Sequence, residues 1–233
     1  MIIDIHIHEK NYSPDSHIGL EEIVQEARRK GLDGICITDH ESNGLAGLAH
    51  EFWRDSGFPV LVGAEILTYE GDILVFGMTR LPRKKMHARD LLHLSAQQGG
   101  VGIAAHPYRN NNRGLGHNIM TLSDLSGFEV LSGRTEPENN IKAWQVAQQC
   151  GLAGFGGSDA HELMEVGKFA TYFIDSITTE TDFLTAIRLK RHTPVLYTKG
   201  TYHRLGRGWK CENQQVARFT AGSGYGLQHS GVQ

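Results

Sequence analysis

Along the first 197 residues, short apolar runs alternate with amphipathic ones, and nearly every apolar run ends in His, Asp or Glu. This rhythm constrains the fold more than any other feature. Strands joined by helical crossovers stack helices on a parallel α/β sheet, either a barrel or a doubly wound sheet. The first run shows the pattern most plainly. In Met1-Ile-Ile-Asp-Ile-His-Ile-His8, period two puts Ile3, Ile5 and Ile7 on one side and Asp4, His6 and His8 on the other. Two imidazoles two residues apart on one strand face can reach a single cation. Asp4 is expected to orient one of the rings.

The remaining elements follow from period and punctuation. A helix is predicted over 20–30, with Leu20, Ile23, Val24 and Ala27 as its apolar stripe and Gly31 as its stop. Further helices are predicted over 45–55, 88–98, 138–150 and 179–190, with Trp144 in helix core and Thr179 as a cap. Strands are predicted over 34–38, 59–62, 101–105, 127–131, 152–156 and 169–174, and a closing run over 194–197. Residues 66–69 and 72–78 read as a hairpin about Glu70-Gly71. One domain is expected over 1–197, and an irregular, glycine-rich extension over 198–233.

Composition narrows the function classes. Hydrophobic residues make up 39% and charged residues 21% of 233, ordinary for a globular chain with a real core. A net charge of -3 gives no global basic field for a long nucleic-acid track. The three cysteines, Cys36, Cys150 and Cys211, are far apart, which disfavours a disulfide framework or a cysteine zinc site; Cys36 reads as core. No leader, long apolar span, dinucleotide fingerprint or Walker loop is visible, so a cytoplasmic protein with no membrane or protein partner is expected.

The strand ends then form one constellation. They carry His6 and His8, Asp39-His40, Glu65, His106, and Asp159 with His161; Asp15 and His17 lie in the first loop. In a parallel sheet or barrel these ends share one rim. So many converging carboxylates repel one another unless cations separate them. A His and carboxylate set without thiolates suits zinc, manganese or iron. The number of ligands exceeds the need of one ion, so two or three divalent ions are expected, bridged by Glu65 or Asp159.

The motifs Asp4-Ile-His-Ile-His8, Thr38-Asp39-His40, Gly63-Ala64-Glu65, His106-Pro107 and Gly157-Ser-Asp-Ala-His161 occur in this order. Together they resemble those of the PHP (polymerase and histidinol phosphatase) family over about residues 1–197. The resemblance implies a distorted seven-stranded β/α barrel holding up to three metals. It implies His6, His8, Glu65 and Asp159 on one ion, Glu65 and His106 on a second, and Asp15, His40 and His161 on a third. One position departs. Many phosphatase-type members carry a histidine shortly after the bridging glutamate, where this chain has Asp72. Asp72 is a candidate replacement ligand, or a turn residue beside a weak or absent second metal.

The expected chemistry is hydrolysis of a phosphomonoester, with a hydroxide held by the metals as nucleophile. Arg109 and Arg113, in the loop after His106, have planar forks suited to phosphate; Arg134 and His17 are further substrate-binding candidates. Arg109, Asp159 and His161 are the catalytic candidates. The expected partner is a small phosphorylated metabolite or nucleotide. A nuclease acting on short oligonucleotides, an amidohydrolase-type enzyme and a non-catalytic metal-bound domain are the competing readings. The Thr-Asp-His and Gly-Ser-Asp-Ala-His motifs argue against the amidohydrolase. The near-complete ligand set argues against the non-catalytic domain.

Overall fold

A computed structural model describes residues 1–205 of the chain. Ten strands form a single sheet: β1 (Ile2–Ile7), β2 (Gly34–Ile37), β3 (Val60–Leu67), β4 (Asp72–Phe76), β5 (Val101–Ala104), β6 (Gly127–Ser132), β7 (Gly154–Gly157), β8 (Phe169–Phe173), β9 (His192–Thr198) and β10 (Thr201–Arg204). Their order is β10-β9-β8-β1-β2-β3-β4-β5-β6-β7. The helices are α1 (Leu20–Arg29), α2 (Ala46–Ser56), α3 (Ala88–Gln97), α4 (Pro137–Cys150) and α5 (Glu180–Arg188). The architecture is α/β, with a sheet that curls. The backbone N–H of His8, just past β1, reaches the carbonyl of Ala160, just past β7, at 3.0 Å.

Two expectations change here. Among the described residues the sheet has ten strands, not the seven expected, and it is mixed rather than parallel. β1, β2 and β3 are parallel neighbours, as are β5, β6 and β7. β4 runs antiparallel to both β3 and β5, and β8, β9 and β10 are antiparallel additions beyond β1. The hairpin expected at Glu70-Gly71 is the β3–β4 connection, and it explains the reversal: a turn this short cannot return a strand in parallel. The reversal also matters for the site. An antiparallel strand brings its first residue, Asp72, to the rim where its parallel neighbours bring their last. The irregular extension expected from residue 198 begins instead as the second strand of a hairpin, β10, turned by Lys199 and Gly200 at φ 51° and 84°; residues 206–233 lie outside the described residues.

The alternation in β1 is also interrupted. Ile3 and Ile5 pack with Phe155, Phe173 and Phe183, whereas Ile7 packs with Ile23, Ile35 and Ile37. The β1–β2 register shifts between Asp4 and Ile7. A one-residue slip exchanges the faces of a strand, so strict period two does not hold to its end. Helices α1 and α2 cover β1–β3 through Leu20, Ile23, Val24, Ala27 and Ala49, and α3 and α4 cover β4–β6 through Leu91, Leu92, Ala143 and Trp144. Cys36 is fully buried in the third core, with α5. Among the described residues no helix is long and apolar enough to cross a membrane.

Candidate metal centre

The rim gathers every ligand expected from the sequence. His6 comes from the end of β1 and His8 from just past it, His40 from just past β2, and Glu65 from inside β3. Asp72 opens β4, His106 follows β5, and Asp159 and His161 follow β7. His106 and Asp159 have positive φ, 29° and 50°. Non-glycine residues held in that region are strained, and such strain concentrates at functional sites.

Three groups of ligand atoms emerge, each within 4.8 Å: His6, His8 and Asp159; His8, His40 and His161; and Glu65, Asp72 and His106. In the first, His6 Nε2 and His8 Nε2 face each other at 3.0 Å, with Asp159 Oδ1 at 3.3 and 3.2 Å. Glu65 lies among all of them. Its Oε1 is 3.6 Å from His6 Nε2 and 2.9 Å from His106 Nε2, and its Oε2 is 3.6 Å from His8 Nε2 and 2.9 Å from His40 Nδ1. Asp15, 57% exposed at the mouth, places Oδ2 3.2 Å from both His40 Nε2 and His161 Nε2.

Counting protons shows what this donor set fits. The Ser13 hydroxyl donates to Asp39 at 2.8 Å and accepts the backbone N–H of His40, so His8 Nδ1, 3.1 Å away, is left to donate to it. His8 Nε2 is then a bare lone pair. His6 Nδ1 donates to Glu129 at 3.0 Å, which bares Nε2 of a neutral His6. His161 Nδ1 donates to the carbonyl of Asp159 at 3.0 Å, which bares its Nε2 toward Asp15. At these three histidines the protons point away from the rim and the lone pairs point in, whereas His40 and His106 turn a ring nitrogen to Glu65 at 2.9 Å. One extra proton bridges His6 and His8, and the converging carboxylates of Asp159, Glu65 and Asp15 are left to share the few remaining donors, Arg109 at Asp159, His40 and His106 at Glu65, and His40 at Asp15. Divalent cations satisfy all of them, and the residues fit that group.

With protons as the only cations, the rim is divided. Burial opposes charge on His6, but Glu129, Asp159 and Glu65 outweigh it and hold its pKa well above the usual imidazole value. Burial wins at His8, pushing it down to about 4. Burial also opposes charge on Glu65 and Asp159, yet both lie well below the usual carboxylate range. His6 is the main charge holding each down, helped at Glu65 by hydrogen bonds from His106 and His40 and at Asp159 by His8 and Arg109.

Other expectations are corrected. Asp4 orients no imidazole; its carboxylate accepts the backbone N–H groups of Ser158 and Gly167 at 2.9 and 2.8 Å, and burial lifts its pKa to about 6. The two arginine forks are engaged by rim carboxylates rather than free for a substrate. Arg109 pairs with Asp159 Oδ2, with Ser132 and Thr135 at 3.1 Å, and Arg113 grips Asp72 through Nε at 2.6 Å and Nη2 at 3.1 Å. Arg134 lies 3.8 Å from Glu165, and His17 lies 3.6 Å from Glu162, both exposed near the mouth. Sequence reasoning missed Glu129 and Ser13, and it named Gly157 within a motif without its role. Glu129 is buried, orients His6 and accepts the backbone N–H of His106 at 2.8 Å. Its signal was a lone carboxylate inside the apolar run Gly127-Phe-Glu-Val-Leu131. Gly157 makes room for it: a Cβ there would overlap Glu129 Oε1 and stand 2.7 Å from His6 Cβ.

Fold and rim together define a PHP-type domain, and the chain belongs to the PHP domain family. That family matches residues 4–124, and the PHP-associated family matches residues 137–191. An uncharacterized protein of Methanocaldococcus jannaschii is 32% identical over 161 residues, spanning 64% of this chain and 93% of the relative. A protein of Caldicellulosiruptor bescii named "Probable phosphatase" is 26% identical over 191 residues, spanning 67% and 78%. A solved structure from Bifidobacterium adolescentis, provisionally named a metal-dependent phosphoesterase, shares the fold at a TM-score of 0.59 and 19% identity, over 69% of this chain and 87% of the other.

Proposed function

We propose that this chain is a metal-dependent phosphoesterase acting on the phosphomonoester of a small metabolite or nucleotide. The observation that carries the reading is the outward wiring of the protons of His6, His8 and His161, which turns their Nε2 lone pairs toward the carboxylates of Asp159, Glu65 and Asp15. Two or three divalent ions of the zinc, manganese or iron kind, held there, would bind phosphoryl oxygens and allow water to attack at neutral pH. His6, His8, Glu65 and Asp159 would hold one, Glu65, His106 and in part Asp72 a second, and Asp15, His40 and His161 a third. Glu65 is suited to bridge, because its two oxygens face different histidines. Asp159 and His161 serve as ligands, and Arg109 is a positioning residue that holds Asp159 through one oxygen. Arg134 and His17 stand at the mouth, where donors to the distant part of a phosphorylated substrate are needed.

An oligonucleotide end is the second reading, favoured by one observation. Tyr69, just past β3 and three residues before Asp72, is 62% exposed, with Lys85 Nζ 5.5 Å from its ring centroid. Together with Lys85 it offers a stacking face beside phosphate-binding charge. The test is a screen of phosphorylated metabolites and short oligonucleotides with manganese, iron or zinc supplied, run beside His8→Ala. Turnover of a phosphoester by wild type, lost in His8→Ala while circular dichroism is unchanged, is the expected result. Preference for oligonucleotides would select the second reading. No phosphoester turnover, or equal turnover by both proteins, would contradict the reading.

A further inference from the structure

The two arginines of the loop after β5 treat their carboxylates differently. Arg109 takes only Oδ2 of Asp159, and Oδ1 stays turned toward His6 and His8 at 3.3 and 3.2 Å. Arg113 takes both oxygens of Asp72, whose side chain is completely buried. The pairing is fixed from the backbone as well. The N–H of Asp72 donates to the carbonyl of Arg113 at 2.7 Å. Gly71, at φ 148°, lies so close to the loop that a Cβ would stand 2.6 Å from Leu115 N and 2.7 Å from the Arg113 carbonyl. Arg113 is therefore built into the third group of ligands rather than waving above it. His106 Nε2 shows the consequence: it sits 2.9 Å from Glu65 but 3.7 Å from Asp72.

We propose that Arg113 is the resident cation of the Glu65–Asp72–His106 group: by claiming both oxygens of Asp72 it weakens that group's hold on a divalent ion, so that the chain binds two ions tightly and a third only weakly. The inference rests on the metal-dependent reading and adds the inequality of the three sites. A guanidinium fork satisfies a carboxylate through two parallel N–H bonds and, unlike a lysine or histidine, cannot lose its proton to make way for a metal. A divalent ion entering this group must share Asp72 with a fixed positive charge or rely on Glu65 and His106 alone.

The test is titration of chelator-treated, full-length protein with manganese or zinc by isothermal titration calorimetry, with elemental analysis after gel filtration. Wild type should retain two ions per chain and bind a third at least about tenfold more weakly, a step equivalent to about 1.4 kcal/mol. Arg113→Gln should tighten the third ion by about that factor, whereas Arg113→Lys, which keeps the charge but not the fork, should tighten it less. Asp72→His supplies a ligand that Arg113 cannot clamp and should tighten the third ion in a protein that keeps the arginine. Three equally tight ions in wild type, or no tightening in either Arg113→Gln or Asp72→His, would overturn the inference. A wild-type protein that binds no ion anywhere would overturn the metal-dependent reading itself.

Discussion

Glu129 and His6 form the support on which the rim rests: Oε1 of the glutamate receives His6 Nδ1–H at 3.0 Å, while Oε2 takes the backbone N–H of His106 at 2.8 Å. One carboxylate thus sets the tautomer of a candidate ligand from β1 and the path of the chain after β5. Outer partners of this kind raise ligand basicity and fix ring orientation. Glu129→Gln should lower metal affinity at His6 and His8 on the order of 10- to 100-fold, read by calorimetric titration, with the circular dichroism spectrum retained. An affinity equal to wild type would remove Glu129 from this role.

Gly157 offers a steric test of the same support. Its missing side chain leaves the space that Glu129 Oε1 and His6 occupy. Gly157→Ala should lower stability by about 1–3 kcal/mol, the usual scale of overpacking, and weaken metal binding together with it. Urea denaturation and metal titration on the same preparation check both; loss of stability with unchanged affinity would show that the rim absorbs the methyl elsewhere.

His192 yields a pH prediction away from the rim. Its ring stacks on Phe155, centroids 4.0 Å apart, and burial pushes its pKa from 6.5 down to about 4. The unfolded chain takes up this proton as the pH falls through 6.5, and the folded chain does so only near 4. The stability due to the neutral ring is therefore complete at neutral pH and lost on acidification across that window, about 2 kcal/mol of it by pH ~5. His192→Phe should flatten this part of the stability profile in denaturant unfolding; an unchanged slope would contradict the assignment.

The candidate ligands could be named from the sequence because most sit at or near the end of an apolar run, where period and punctuation are clearest. What surrounds them could not be. Glu129 is separated from His6 by more than a hundred residues, and only the curl of the sheet brings them together. The slip in β1 depends on its pairing with β2, so period two alone placed Asp4 beside the histidines when it binds Ser158 and Gly167 instead. The reversal at β4 could be suspected from Glu70-Gly71, but its effect on Asp72 required the sheet order. The arginines were found as charges in a loop, and their engagement with Asp159 and Asp72 depends on a tertiary contact that sequence spacing does not encode. Strands β8, β9 and β10 lack rim ligands, so nothing in the rim motif announced their antiparallel placement.

Metal content tests the central claim most directly. Protein purified under native conditions without chelator and measured by elemental analysis should contain two or more divalent ions per chain, and His8→Ala, whose ring faces both Asp159 and Glu65, should retain fewer. A folded wild-type protein free of metal, and unable to bind manganese, iron or zinc when these are supplied, would contradict the account.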